Sequence, residues 1–158
     1  SEDRPDDPSL EQLLTRIERH AVRFDPATPG ALRACGDALI GAGSPGLAAD
    51  HMALLNLTNG LIWNGIQLYG TDPIPRPQRR YTLPSLVDAT AEAHRHIDTS
   101  QSVLIGRTED EWLVMTQGPG RIIYQEIDCI DGDIYRQAAS VRRLLTRLIK
   151  ERSPNLNA

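Results

Sequence analysis

Residues 102–127 read SVLIGRTEDEWLVMTQGPGRIIYQEI. Three runs of β-branched, aliphatic and aromatic residues alternate with polar clusters rich in Gly, Pro and acidic residues. That pattern predicts strands at about 102–107, 111–116 and 121–127. Thr108-Glu109-Asp110 and Gln117-Gly118-Pro119-Gly120 supply the turns, so the three strands form an antiparallel meander. With a four-residue second turn, Leu113, Met115, Ile122 and Tyr124 share one face and Trp112, Val114 and Ile123 the other. Both faces are then apolar. Such a sheet needs cover on two sides, or leaves part of one side open.

The C-terminal neighbour supplies one cover. Val141, Leu144, Leu145, Leu148 and Ile149 follow helical spacing and predict an amphipathic helix over about 137–151. Upstream, Ser9 and Gln12 form a capping box for a helix over about 9–22 carrying Leu10, Leu13, Leu14 and Ile17. A weaker helix is expected at about 30–41. A third is expected at about 45–58, entered through Ser44-Pro45-Gly46 and stopped at Asn59-Gly60. Leu61 to Tyr69 reads as one strand. The stretch from Gly70 to Tyr81 reads as an extended loop, since Pro73, Pro75 and Pro77 exclude a central strand. Ser85 caps a short helix reaching about Ile97. Residues 1–8 and 152–158 read as flexible termini. The expectation is a single α+β domain over 9–151, with N-terminal helices, an antiparallel sheet of four or more strands, and the C-terminal helix packed on it.

At 158 residues the chain is long enough to bury a core without staples. Cys35 and Cys129 are expected as free thiols, and no run of 18 apolar residues offers a membrane span. No signal peptide is visible, which points to the cytoplasm. The net charge of −4 and pI near 5.5 disfavour nucleic acid and suit a basic partner.

Residues that could carry chemistry are sparse. His94 and His96 lie two apart in an expected helix and point about 200° apart, so a regular helix cannot aim both at one metal ion. His20 and His51 stand alone on separate helices. Cys129 lies among Asp128, Asp131 and Asp133, which oppose a thiolate. The same cluster lacks the terminal Glu and the alternation of a calcium loop. Gly118-Pro119-Gly120 precedes no helix and cradles no phosphate. Arg136, Arg142, Arg143, Arg147, Lys150 and Arg152 read as the solvated side of the last helix. Neither a catalytic residue nor a metal or cofactor is expected.

Two segments resemble a known family. The first runs LLNLTNGLIWNGIQLYG over 54–70, a helix ending in Asn-Gly and leading into a strand closed by Leu68-Tyr69-Gly70. The second joins Val103-Leu104-Ile105-Gly106, Glu109-Asp110-Glu111-Trp112-Leu113-Val114 and Gly120-Arg121-Ile122-Ile123-Tyr124. Together they look like the SUKH superfamily, most closely its YrhA-like branch, over about 10–150. The turn here is Glu109-Asp110, where many members carry glycines. The resemblance implies a bacterial immunity protein that neutralises a cognate toxin by covering its active site or substrate surface. Adaptor or regulator roles occur on the same fold and are the first alternative, with an enzyme the second.

An inhibitor of that kind needs surface. Glu109, Asp110, Glu111, Asp128, Asp131 and Asp133 are the expected grip on a basic cleft. Trp63, Tyr69 and Trp112 are candidate aromatic anchors, with burial in the core the competing reading for each.

Overall fold

The computed structural model describes residues 7–153. In chain order it contains α1 (Leu10–Ile17), β1 (Val22–Arg23), α2 (Pro29–Gly41), α3 (Ala49–Leu55), β2 (Leu61–Trp63), β3 (Ile66–Leu68), β4 (Ile74–Arg76), β5 (Tyr81–Leu83), α4 (Leu86–Glu92), β6 (Ser102–Arg107), β7 (Glu111–Gly118), β8 (Arg121–Asp128), β9 (Ile134–Ala138) and α5 (Val141–Arg152). Seven strands build one antiparallel sheet in the order β1-β2-β3-β6-β7-β8-β9, while β4 and β5 pair only with each other. The chain is α+β, and its last helix lies on the sheet.

The meander forms as its residues dictate. β7 and β8 pair from Glu111↔Asp128 to Gly118↔Arg121 around a two-residue turn at Pro119-Gly120. Proline presets the first turn position and Gly120 takes φ +71° at the second. The turn is two residues tighter than expected. A shift of two keeps every side chain on its expected face. Met115 and Tyr124 therefore oppose each other on one face, with Val114 on the other. Leu113, Val114 and Tyr124 are fully buried.

α5 covers the face of Tyr124. Its inner stripe is the one expected, but the helix begins at Val141, with Ser140 Oγ accepting from Arg143 N at 3.1 Å. Residues 134–138 are not helical. They form β9, which pairs Tyr124↔Ala138 and Glu126↔Arg136. The Glu126 carboxylate is wholly buried and bound by Arg136 at 2.8 and 2.9 Å and by Arg147 at 3.2 Å. Asp50 locks a second corner. Its carboxylate accepts from Tyr124 Oη at 2.6 Å and from Val141 N at 2.9 Å, joining α3, β8 and the start of α5. On the opposite side α4 reaches β6, where Thr90 Oγ1 accepts from Leu104 N at 3.0 Å.

Several expectations are corrected. Residues 61–69 are not one strand. Asn64 and Gly65 take φ +45° and +82° and turn the chain into the β2–β3 hairpin. Asn-Gly is the pair such a tight turn favours. Ser44-Pro45-Gly46 does not open α3. Gly43 at φ +88° ends α2, with Gly43 N donating to the Ile40 carbonyl and Ser44 N to the Leu39 carbonyl. That double bond pattern is a helix stop. α3 starts later, behind Ala48, without a side-chain cap. α1 ends at Ile17, and Val22–Arg23 adds an edge strand to β2. The Pro-rich stretch folds into the separate β4–β5 ribbon. Of the expected flexible ends, residues 1–6 and 154–158 lie outside the described residues. Pro8 is held, its carbonyl accepting from Arg142 at 3.2 Å.

Candidate binding surface

Strand direction gathers the expected carboxylates. The β6–β7 turn carries Glu109 and Asp110, and the β8–β9 turn carries Asp131 and Asp133. Antiparallel neighbours place both turns at one end of the sheet. Cys129 N donates to the Asp110 carbonyl at 2.8 Å and welds the two turns together. Arg152, at the end of α5, joins the same end. It donates to Glu109 Oε1 at 2.8 Å and to the Asn64 carbonyl at 2.8 Å. All six carboxylates expected to act together are therefore neighbours at one tip of the sheet.

The tip is built by short-range side-chain bonds. Thr108 Oγ1 accepts from Glu111 N at 3.0 Å and donates to Glu111 Oε1 at 3.1 Å. Asp128 Oδ1 accepts from Ile130 N at 2.7 Å and Asp131 N at 3.1 Å. Asp131 Oδ1 accepts from Asp133 N at 2.8 Å. These are the turn-forming bonds that Thr and Asp make with nearby backbone. They hold the Glu111, Asp128 and Asp131 carboxylates against the backbone of their own turns. The Arg152 hydrogen bond holds the Glu109 carboxyl below the usual carboxylate range.

The aromatic anchors separate. Trp63 is 5% exposed and Tyr69 4%, so both belong to the core and present nothing to a partner. β2 and β3 are inner strands; Trp63 ends β2, Tyr69 directly follows β3, and both side chains join the buried core cluster. Trp112 is half-buried and stacks on His96 with ring centroids 4.9 Å apart. The apolar residues that do reach solvent at this end are Ile130, 95% exposed, Ile134, 51%, and Tyr135, 62%. Ile130 falls inside the acidic Asp128–Asp133 cluster, and Ile134 and Tyr135 lie between that cluster and the expected last helix, so no strand is expected there. The available signal was the β-forming pair Ile134-Tyr135 directly after the aspartate cluster, with Ile130 inside it.

One outward-facing carbonyl on the free edge of β9 is capped. Gln137, opposite Gln125 in a non-hydrogen-bonded pair, turns its backbone outward, and Arg147 donates to its carbonyl at 2.9 Å. The ladder is also irregular between Ile127 and Glu126. Capped carbonyls and bulges are how edge strands resist pairing.

The remaining candidates fall apart as chemistry. Burial pushes the Cys129 thiol up; Arg107 opposes that, and Asp128, Glu111 and Asp110 reinforce it. Burial pushes Cys35 up to about 11. Neither thiol is poised as a nucleophile. His94 Nδ1 sits 2.9 Å from the Ala91 carbonyl, while His96 faces Trp112. His51 is buried with both ring nitrogens unpartnered, and burial pulls it down to about 4. Among the described residues, no three His, Cys, Asp or Glu side chains converge as a metal site. The arginines of the C-terminal segment are not a free basic face. Arg136 and Arg147 bind Glu126, and Arg152 binds Glu109. No helix is long and apolar enough to cross a membrane among the described residues.

The geometry suits recognition: a fixed anionic rim beside exposed isoleucine and tyrosine side chains. Comparison with protein-family models returned no match, and comparison with curated proteins likewise returned none.

Proposed function

We propose that this chain is a cytoplasmic immunity protein of the SUKH type, a non-enzymatic domain that covers the basic active-site cleft of a cognate bacterial toxin. The observation that carries the reading is the acid tip, where two turns set carboxylates around Ile130, Ile134 and Tyr135. A toxin that acts on nucleic acid or nucleotides presents a basic cleft, and complementary charge speeds encounter with such a surface and rejects other partners. Exposed aromatic and aliphatic side chains beside the rim supply the desolvated contact that holds the complex. Nothing in this action requires a bond to be made or broken.

The test is co-expression with the protein encoded beside this chain's gene, followed by affinity capture and a growth assay. The reading expects a stoichiometric complex and protection from the neighbour's toxicity. A toxic neighbour that is neither captured nor neutralised would overturn it.

A further inference from the structure

The β4–β5 ribbon is the counterpart in charge of the acid tip. It pairs with no other strand, and Pro73, Pro75 and Pro77 stiffen its approach. Arg76 lies on β4, and Arg79 and Arg80 lie on the turn that leads into Tyr81. Arg80 takes φ +57°, a left-handed backbone that residues with a side chain adopt at a cost. Tyr81 is 38% exposed. None of these three arginines forms an ion pair among the described residues. The tip carboxylates Asp110, Asp131 and Asp133 have no cationic partner there either. The two surfaces are opposite in sign and do not satisfy each other within one molecule.

We infer that the arginine ribbon receives the acid tip of a second copy of this chain. Guanidinium groups and carboxylates match in geometry as well as charge, and Arg forms the two-pronged bond that Lys cannot. Apolar surface accompanies the charge on both sides, Tyr81 and the prolines on the ribbon, Ile130 and Tyr135 on the tip. A long polyanion fits less well, because the chain as a whole carries −4 and repels it. The contact joins two different patches, so it is head-to-tail. It closes into a pair only where a two-fold axis brings both contacts together, and otherwise propagates. If the proposed function holds, a tip seated on a second copy's ribbon is closed to the toxin.

Sedimentation velocity of the full chain tests this without any toxin. The wild type is expected to associate with rising concentration at about 0.05 M salt and to dissociate at about 0.5 M, as screening requires. Two charge-reversed variants are compared, Arg76→Glu/Arg79→Glu/Arg80→Glu and Asp131→Lys/Asp133→Lys, each checked for native circular dichroism. Each alone is expected to lose association by about tenfold or more. Their equimolar mixture is expected to associate again, since one supplies an intact tip and the other an intact ribbon. A wild type that stays monomeric at low salt overturns the inference. So does a folded mixture that fails to recover, or a variant that associates like the wild type.

Discussion

Glu111 and Asp128 face each other across β7 and β8 in a non-hydrogen-bonded pair, the arrangement that brings opposed side chains closest. The donation from Cys129 N to the Asp110 carbonyl marks the pair type. Like charges set directly opposite destabilise a sheet. The fold therefore carries like-charge repulsion at its tip. Glu111→Gln keeps an oxygen for the Thr108 hydroxyl and removes the repulsion. Urea denaturation should show the isolated variant more stable by about 0.5 kcal/mol at low salt. Raising the salt should shrink the difference. An unchanged or lower midpoint would mean the two carboxylates do not oppose each other.

His51 makes stability depend on pH. Its folded pKa, near 4, lies below the ordinary value of 6.5, so the unfolded chain binds the proton first. Stability from this group is complete above pH 6.5, declines as the pH falls toward 4, and is flat below. The loss across that window is about 3 kcal/mol from the size of the shift. His51→Leu should flatten the decline and leave stability at pH 7 equal or higher, because two unpartnered ring nitrogens leave the core. Unfolding midpoints at pH 7 and 4.5 for both proteins check this.

The β2–β3 turn strains any side chain at its second position. Gly65 holds φ +82°, and a methyl there would meet the Glu109 carboxylate. Gly65→Ala should cost about 1–2 kcal/mol through backbone strain and disturb the Arg152 bridge. Loss of thermal stability with changed Glu109 chemical shifts would report both effects.

The buried Glu126 depends on its arginines. Arg136→Met removes the closer one and leaves Arg147, so the carboxylate is weakened in pairing but not abandoned. The expected cost is about 2 kcal/mol, less than for a buried charge stripped of every partner. Glu126→Gln in the same background should recover part of it, which a general packing defect would not.

Periodicity revealed what periodicity governs. The Leu and Ile stripe of α5 and the alternation through β7 and β8 place their core residues directly. The class, the meander and the grouping of the tip carboxylates follow from those patterns. Short elements escaped. β9 escapes because only Ile134 and Tyr135 carry a strand signal and its end, Gln137-Ala138, falls in the expected start of the last helix. The β2–β3 hairpin was lost because apolar alternation runs straight through Asn64-Gly65, and only the left-handed turn reverses it. Whether an aromatic residue faces core or solvent depends on its strand's place in the sheet. Trp63 and Tyr69 were therefore open in the sequence and are closed in the fold.

On the proposed function, the acid tip finds and grips a basic toxin surface. The most direct measurement is the association rate of the captured neighbour with wild-type chain and with Asp110→Lys/Asp131→Lys, across a range of salt concentrations. Steering predicts a rate that falls steeply with salt for the wild type, and a variant slower by about tenfold or more at low salt with a flatter response. Equal rates with equal salt dependence would contradict it and move the binding surface elsewhere.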